Sequence, residues 1–330
     1  MRYFGSKSST LDGLLDMIGG KIMPGTFCDP FGGIGTVGAH FKSAGYKVYT
    51  GDQLQFAKCF QVARIQCSRV PRFSTLCREL SLNGWRGVFA YLNELVPVQG
   101  WFQNEFAAKR SFFTPLNAGR IEAIRRCIRR WEMQNLITGT EREYLLACLI
   151  NSADRVANTA GTYYAFLKEW HRKAKQNFEL TPIIPASGQP GQAFLGDALE
   201  LIRSDEFDVV YLDPPYNERC YAGYYHLPEF IASGASWRKL HGLSGISSSA
   251  VRSAFNSKST AADALRELVG SARFHLLVFH YSDDGLITPR EAKGILSTRG
   301  TVHGRELRSI GYTTKRTRRE IMHRVYLVAN

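Results

Sequence analysis

The chain has 330 residues, with 42 lysines and arginines against 29 acids and a formal net charge of +13. That length can bury a sizeable core, as one large domain or one domain with an insertion, and the basic excess suits a polyanionic partner. Seven cysteines are scattered without a Cys-x-x-Cys pair, and there is no long uncharged apolar run and no signal-peptide pattern at Met1-Arg2-Tyr3. A zinc framework, a disulfide-stapled fold and a membrane span are therefore set aside, and a soluble protein of a reduced cytoplasm is expected.

A basic and aromatic stretch, Arg2-Tyr3-Phe4-Gly5-Ser6-Lys7, opens the chain, and a helix is predicted around Leu11 to Ile18. Next comes Phe27-Cys28-Asp29-Pro30-Phe31-Gly32-Gly33-Ile34-Gly35-Thr36, which reads as a strand end, a glycine-rich turn and a helix starting near Thr36. Glycines permit a tight turn and close backbone approach to a ligand, and a helix N-terminus presents unpaired N–H groups to an anion. A second strand, Lys47-Val48-Tyr49-Thr50, ends at Gly51-Asp52; an acid at that point of a β-α-β unit commonly binds ribose hydroxyls.

Beyond residue 60 the β-α alternation stops and the pattern is largely helical. Ile121, Ile124, Ile128 and Trp131 recur at helical spacing, and Arg125, Arg126, Arg129 and Arg130 fall mostly off that face. These arginines are either a solvated surface or a phosphate-facing ridge, with about equal weight. Thr140-Glu141-Arg142-Glu143 reads as a capping box opening a helix with Leu145, Cys148, Leu149 and Ser152 on one side. In the stretch from Asn158 to Lys168, Tyr163, Tyr164 and Phe166 read first as core rings. Ser187-Gly188-Gln189-Pro190-Gly191 is a flexible return, followed by a strand and turn at Ala193 to Asp197 and a helix through Ile202.

Phe207-Asp208-Val209-Val210-Tyr211-Leu212 reads as a buried strand, and it runs into Asp213-Pro214-Pro215-Tyr216. Two prolines fix φ and remove two backbone donors, leaving a carboxylate, free carbonyls and a ring at a strand's C-terminal edge, where open α/β sheets bind ligands. A carboxylate and a carbonyl can both accept hydrogen bonds from one exocyclic NH2 group while the tyrosine stacks on the base carrying it. A plain proline turn is the bland alternative; the tetrapeptide gains force from the glycine-rich turn and Asp52 standing in the same chain. Ser244 to Thr260 is expected to be a mobile loop or lid, or a long surface connection. Phe274 to Phe279 is another buried strand, and a final pair, Gly304 to Ile310 and His323 to Val328, flanks Lys315-Arg316-Thr317-Arg318-Arg319.

In this order, Arg2 to Lys7, Asp29 to Gly35, a long insertion and Asp213 to Tyr216 resemble the Dam-like, alpha-group amino-methyltransferases of DNA, which use S-adenosylmethionine (AdoMet). The resemblance spans nearly the whole chain. It is closest to the restriction-associated adenine methylases, through Asn217 and Arg219 after the tetrapeptide, the Tyr225-His226 pair, Asn158 to Tyr163 and Ala165 to Lys168. It places Asn158 to Lys168 near the target site.

The resemblance implies an α/β, Rossmann-like methyltransferase fold with a mixed seven-stranded sheet ending in an antiparallel hairpin. Residues 1–60 and 190–330 would be the catalytic domain, and 61–189 a mainly helical target-recognition insertion. It implies transfer of a methyl group to adenine N6 in a flipped-out base, with Asp213, Pro214 and Tyr216 at the amine. It assigns Phe31, Gly33 and Gly35 to the methionine part of the cofactor, Asp29 to its amino group, Asp52 to its ribose and Asp197 to its adenine amine, with Tyr3 and Lys7 closing over it. Arg126, Arg130, Asn217, Arg219, Lys315, Arg316, Arg318 and Arg319 are the candidate DNA contacts. Duplex DNA and a cognate restriction enzyme are the implied partners of a monomer with no metal and no membrane. Two departures stand out: Gln53 follows Asp52 where an apolar residue is expected, and His280-Tyr281-Ser282-Asp283-Asp284-Gly285 replaces a Ser-Tyr-Asn-x-Glu-Gly segment. Cytosine N4 or an RNA base would keep the fold and change the acceptor; a non-catalytic nucleic-acid-binding protein is disfavoured by the intact motifs.

Overall fold

The computed structural model describes residues 7, 10–218, 221–234, 240–247, 253–282, 285–312 and 318–329, with 308–312 and 318–322 through their backbone alone. Tyr3, Arg219, Lys315 and Arg316 lie outside the described residues, as do Asp283 and Asp284, and Arg318 and Arg319 are described only as backbone.

Short runs rich in β-branched and aromatic residues become strands: Thr26–Asp29 (β1), Lys47–Asp52 (β2), Gln192–Leu195 (β3), Phe207–Leu212 (β4), Phe274–Ser282 (β5), Val302–Tyr312 (β6) and Arg318–Ala329 (β7). They form one seven-stranded sheet in the order β3-β2-β1-β4-β5-β7-β6. Strands β1 to β5 run parallel, and β7 is antiparallel to both β5 and β6. The expected mixed sheet with a closing antiparallel hairpin is the observed one. Its central strands are buried almost throughout, as strands covered on both faces must be. Helices Ala198–Ser204, Ala261–Ser271 and Pro289–Leu296 contribute Leu201, Ile202, Leu265, Leu268, Ile295 and Leu296 to one core with Phe207, Val210, Leu277 and Phe279.

A polar clamp joins the N-terminal ends of the three central strands. Asp208 accepts hydrogen bonds from the Thr26 backbone N–H at 2.7 Å and from its hydroxyl at 2.8 Å, and the Asp208 N–H donates to the same hydroxyl oxygen at 2.8 Å. His275 of β5 lies 3.0 Å from the other oxygen of Asp208.

The chain divides into two compact units: 5–53, 186–220 and 251–330 hold the sheet, and 54–185 with 221–250 form a helical unit. The helical unit therefore takes a second chain segment that the sequence reading left with the sheet. The reason is local: the Glu229 carboxylate of helix His226–Ser233 accepts from the backbone N–H groups of Gln55 and Phe56, capping helix Gln55–Gln61. In helix Pro115–Met133 the predicted apolar face, Ile121, Ile124, Ile128 and Trp131, is buried. Arg125 is buried with it, unlike Arg126, Arg129 and Arg130, because its guanidinium turns back onto Glu122.

The capping box sits two residues earlier than expected. Thr138, not Thr140, is the N-cap of helix Gly139–Arg155: its hydroxyl accepts from the Glu141 N–H, and Glu141 accepts from the Thr138 N–H. Leu145, Cys148, Leu149 and Ser152 are all buried. Of the three rings read as core, only Tyr163 is buried; Phe166 is half-buried and Tyr164 exposed. Asn158 organises that stretch, its amide donating to the Ser111 and Leu167 carbonyls and accepting from the His171 N–H. No described helix is long and apolar enough to cross a membrane.

The Thr26 backbone N–H, helped by the Thr26 hydroxyl and His275, holds the Asp208 carboxyl below its usual range. A carboxylate depressed on folding adds stability above its unfolded pKa of about 3.9, and that stability is lost as pH falls through the folded pKa. Asp208→Ala is therefore expected to cost about 1–3 kcal/mol at pH 7, with the difference from wild type shrinking below about pH 4; denaturant titrations at pH 7 and pH 3 check it.

Candidate active site

The two motifs leave neighbouring strands at the same edge of the sheet. Phe27 and Cys28 of β1 stand in register with Val209 and Val210 of β4, and the strands are parallel. Asp29 and the Asp213–Tyr216 segment therefore emerge side by side. Strands β2 and β3 lie to one side of this pair and β5 to the other, so the motifs occupy the topological switch point of the sheet.

On the β1 side, Asp29 is 1 % exposed. The Phe31 backbone N–H bonds its carboxyl group, while Oδ1 has no hydrogen-bond partner among the described residues. Burial first, then the charge of Asp213, pushes the Asp29 carboxyl well above the usual carboxylate range. The turn that follows needs its glycines: Gly33 has φ 52° and Gly35 has φ 73°, conformations in which any Cβ is strained. Gly35 is the N-cap of helix Thr36–Ser43. The turn is fastened to the end of β2, where the Gly32 N–H donates to the Gly51 carbonyl at 2.9 Å and the Gly33 N–H to Asp52 Oδ2 at 3.1 Å. Asp52 thus holds the turn's shape, whatever else it binds.

On the β4 side, Lys7 pairs with Asp213. Its ammonium is almost fully buried, lies 2.8 Å from each Asp213 carboxylate oxygen and stands 5.9 Å from the centre of the Tyr216 ring. Burial raises the Asp213 pKa, and Lys7 opposes that rise. The Tyr216 ring packs edge-on against Tyr281 and His323, each with centroids 6.3 Å away. Its carbonyl accepts from the Leu286 N–H at 3.0 Å, and the Asn217 carbonyl accepts from the Asn256 side chain at 2.8 Å. These carbonyls lie past the end of β4, and other segments use them.

Of the Ser244 to Thr260 stretch, expected to be a mobile loop or lid or a long surface connection, residues 248–252 lie outside the described residues, and the described portions make specific contacts. Ile246–Ser247 pairs with Leu240–His241 in the helical unit. Ser253 caps a short 3₁₀ turn, Ala254–Asn256, which buries Phe255 edge-on against Phe31 at 5.5 Å. Asp197 is an N-cap, accepting from the Leu199 N–H at 2.9 Å and from the Gln53 side-chain amide at 2.9 Å. The polar Gln53 thus has a partner in the acid assigned to the cofactor's adenine.

Sequence reasoning missed the support beneath the acceptor side. Tyr211 and His280, both fully buried, share a 2.8 Å hydrogen bond, and the His280 ring lies edge-on to His323 at 5.1 Å. His280 is the first residue of the segment that departs from the family pattern, and that departure was the available signal. Of the DNA candidates, Arg126 bonds Glu122 at 2.6 Å while remaining half exposed, and Arg130 lies exposed beside Cys127. These two stand in the helical unit, and Asn217 stands in the sheet unit.

Residues 3–278 match the D12 class of N6 adenine-specific DNA methyltransferases, and the chain belongs to that family. It is similar to type II methyltransferase M.FokI of Planomicrobium okeanokoites, 32% identical over 311 residues, 91% of this chain and 47% of that protein. It is 32% identical to modification methylase StsI of Streptococcus sanguinis over 306 residues, 90% of this chain and 46% of that one. With type II methyltransferase M.NlaIII of Neisseria lactamica the identity is 30% over 310 residues, 91% of this chain and 89% of the relative. The chain thus spans about half the length of the first two relatives and most of the third. The family's methyl donor is AdoMet, and two features of the β1 tip fit it: the buried, unmatched Oδ1 of Asp29 suits an ammonium donor, and the positive-φ glycines keep side chains out of the turn.

A carboxylate whose pKa rises on folding lowers stability once it ionises. Wild-type stability should fall as pH climbs from about 3.9 through the raised pKa of Asp29, and the full penalty should stand above it. Asp29→Asn is expected to be about 1–3 kcal/mol more stable at neutral pH and to have a flatter pH profile; denaturant titration against pH checks both.

Proposed function

We propose that this chain transfers a methyl group from AdoMet to N6 of adenine in duplex DNA, as the modification enzyme of a type II restriction system. The observation that carries the reading is the meeting of the Asp29–Gly35 turn and the Asp213–Tyr216 segment at the adjoining tips of β1 and β4. The order of the motifs, with the donor turn before a long insertion and the acceptor tetrapeptide after it, supports the alpha-group subclass. The printed descriptions of the relatives, type II methyltransferase and modification methylase, support the restriction–modification setting. A cytoplasmic monomer with a cognate restriction enzyme completes the reading, and the 61–189 insertion is its target-recognition region.

When bound, AdoMet supplies a methyl group on a sulfonium centre, with a neutral thioether as the leaving group. Asp29 would take its ammonium group, with Phe31, Gly33 and Gly35 lining the methionine part. Asp52 would reach the ribose from the position in which it already braces Gly33, and Asp197 would receive the adenine amine beside Gln53. On the acceptor side, Asp213 and the Pro214 carbonyl accept from the two N–H groups of the target amine, which frees the nitrogen lone pair from the ring. Each carboxylate oxygen has two lone-pair sites, so Lys7 can stay on Asp213 while the amine binds. Lys7 opposes the rise that burial imposes on the Asp213 pKa and so favours the ionised, acceptor-only carboxylate. Tyr216 stacks on the base, its ring set by Tyr281 and His323. A base inside a duplex cannot reach this tip, so it must be flipped out. The site's contribution is placement and charge stabilisation; the amine proton can leave after transfer.

Labelled AdoMet and duplex DNA, followed by nucleoside analysis, test the reading. N6-methyladenine is expected; N4-methylcytosine would reassign the acceptor, and no incorporation would overturn the activity. Asp213→Ala should lower methyl transfer by at least ~10²-fold while AdoMet binding, followed by calorimetry, stays near wild type.

A further inference from the structure

Within the helical unit, a cavity of about 360 Å³ opens beside helix Pro115–Met133. Four arginines line it, Arg125, Arg126 and Arg129 from that helix and Arg142 from helix Gly139–Arg155, against two acids, Glu122 and Glu132. Ser233 and Gly234, at the C-terminal end of helix His226–Ser233, border it as well.

The two acids do not balance the four cations. Glu122 is 1 % exposed and already accepts from the Phe102 N–H at 3.0 Å, from Arg126 at 2.6 Å and from Arg125 at 3.3 Å. Glu132 lies 3.3 Å from Arg142, which is shared with Glu143 at 3.3 Å. Arg129 has no ion-pair partner among the described residues and is exposed at the mouth. Arg125 is only 8 % exposed, and its Nε has no hydrogen-bond acceptor among the described residues. Burial lowers the Arg125 pKa, Glu122 opposes this, and the like charges of Arg126 and Arg129 lower it further. Four guanidinium groups against two acids, with Arg129 exposed and without an ion-pair partner among the described residues, give the cavity a charge that suits an anion.

The shape of the site narrows the class. Guanidinium groups match phosphate oxygens in pairs. Trp101, Ile128, Leu146 and Ile231 also line the cavity and give it an apolar, partly aromatic surface, and its volume falls in the range that takes small organic ligands. Phosphate beside a ring-bearing apolar group is the chemistry of a nucleotide. We propose that this pocket binds the phosphate of a nucleotide through Arg125, Arg129 and Arg142, with the nucleoside against Trp101. The nucleotide is either a unit of the bound DNA or a free mononucleotide. The DNA source rests on the methyltransferase reading; the free source does not.

The test uses the full chain and a double variant, Arg129→Gln with Arg142→Gln, which leaves the buried Arg125 intact and is checked for folding by circular dichroism. AMP binding is measured by calorimetry, and binding of a short duplex by fluorescence anisotropy across a salt series. Saturable AMP binding weakened about tenfold or more in the variant supports a free nucleotide. No AMP binding, together with weaker duplex binding and a salt slope smaller by about 1, supports a DNA phosphate. The proposal is overturned if wild type binds neither probe, or if the variant binds both probes as wild type does. The readout is binding alone, so failure of methyl transfer would leave the AMP result standing and interpretable.

Discussion

The parallel pairing of β1 with β4 is the constraint on which the rest of the site depends. Each strand ends in one half of the chemistry, the glycine-rich turn or the Asp-Pro-Pro-Tyr tip, and only a parallel pair brings both halves to one edge. The strands are short, four and six residues, so a slip of one register position would turn Asp29 to the opposite face. The clamp of Thr26, Asp208 and His275 guards against that slip. It sits at the other end of the same strands, where hydrogen bonding can be fully satisfied without competing with ligands.

Electrostatics divides the two ends in the same way. At the clamp, the acid gains stability from folding. At the tip, burial and the charge of Asp213 raise the cost of ionising Asp29, while Lys7 pairs directly with Asp213. The unmatched acid is the one proposed for a cationic ligand, and the matched one is proposed to present acceptors to a neutral amine. This is the pattern expected where function is kept at the expense of stability.

Much of the sheet was legible because its strands are short apolar runs bounded by glycine, proline or acid: Phe207 to Leu212 was read to the residue, and Phe274 to Phe279 fell three residues short of the strand's end at Ser282. The motifs could be placed at strand ends by the same logic. What could not be read depended on contacts between distant residues. Nothing in Lys7 itself says that it pairs with Asp213, 206 positions away. The burial of Arg125, the anchoring of Phe255 against Phe31 and the bridge between Gln53 and Asp197 are similar cases, in which a polar or serine-rich stretch reads as surface until its partner is known. The capping box was misplaced for a simpler reason: Thr138 and Thr140 both precede an acid by three residues, and only backbone geometry decides between them.

The clamp also sets a timetable for folding. Thr26 and Asp208 are 182 residues apart, so on a growing chain β1 waits beside β2 with an open edge while most of the helical unit is being made. Contacts of such wide sequence separation form slowly, and an unpaired strand edge invites association with other chains. The helices of 54–185 can begin to organise during that interval. Slow synthesis across the insertion, or any condition that delays β4, would therefore show up as aggregation before any loss of intrinsic stability.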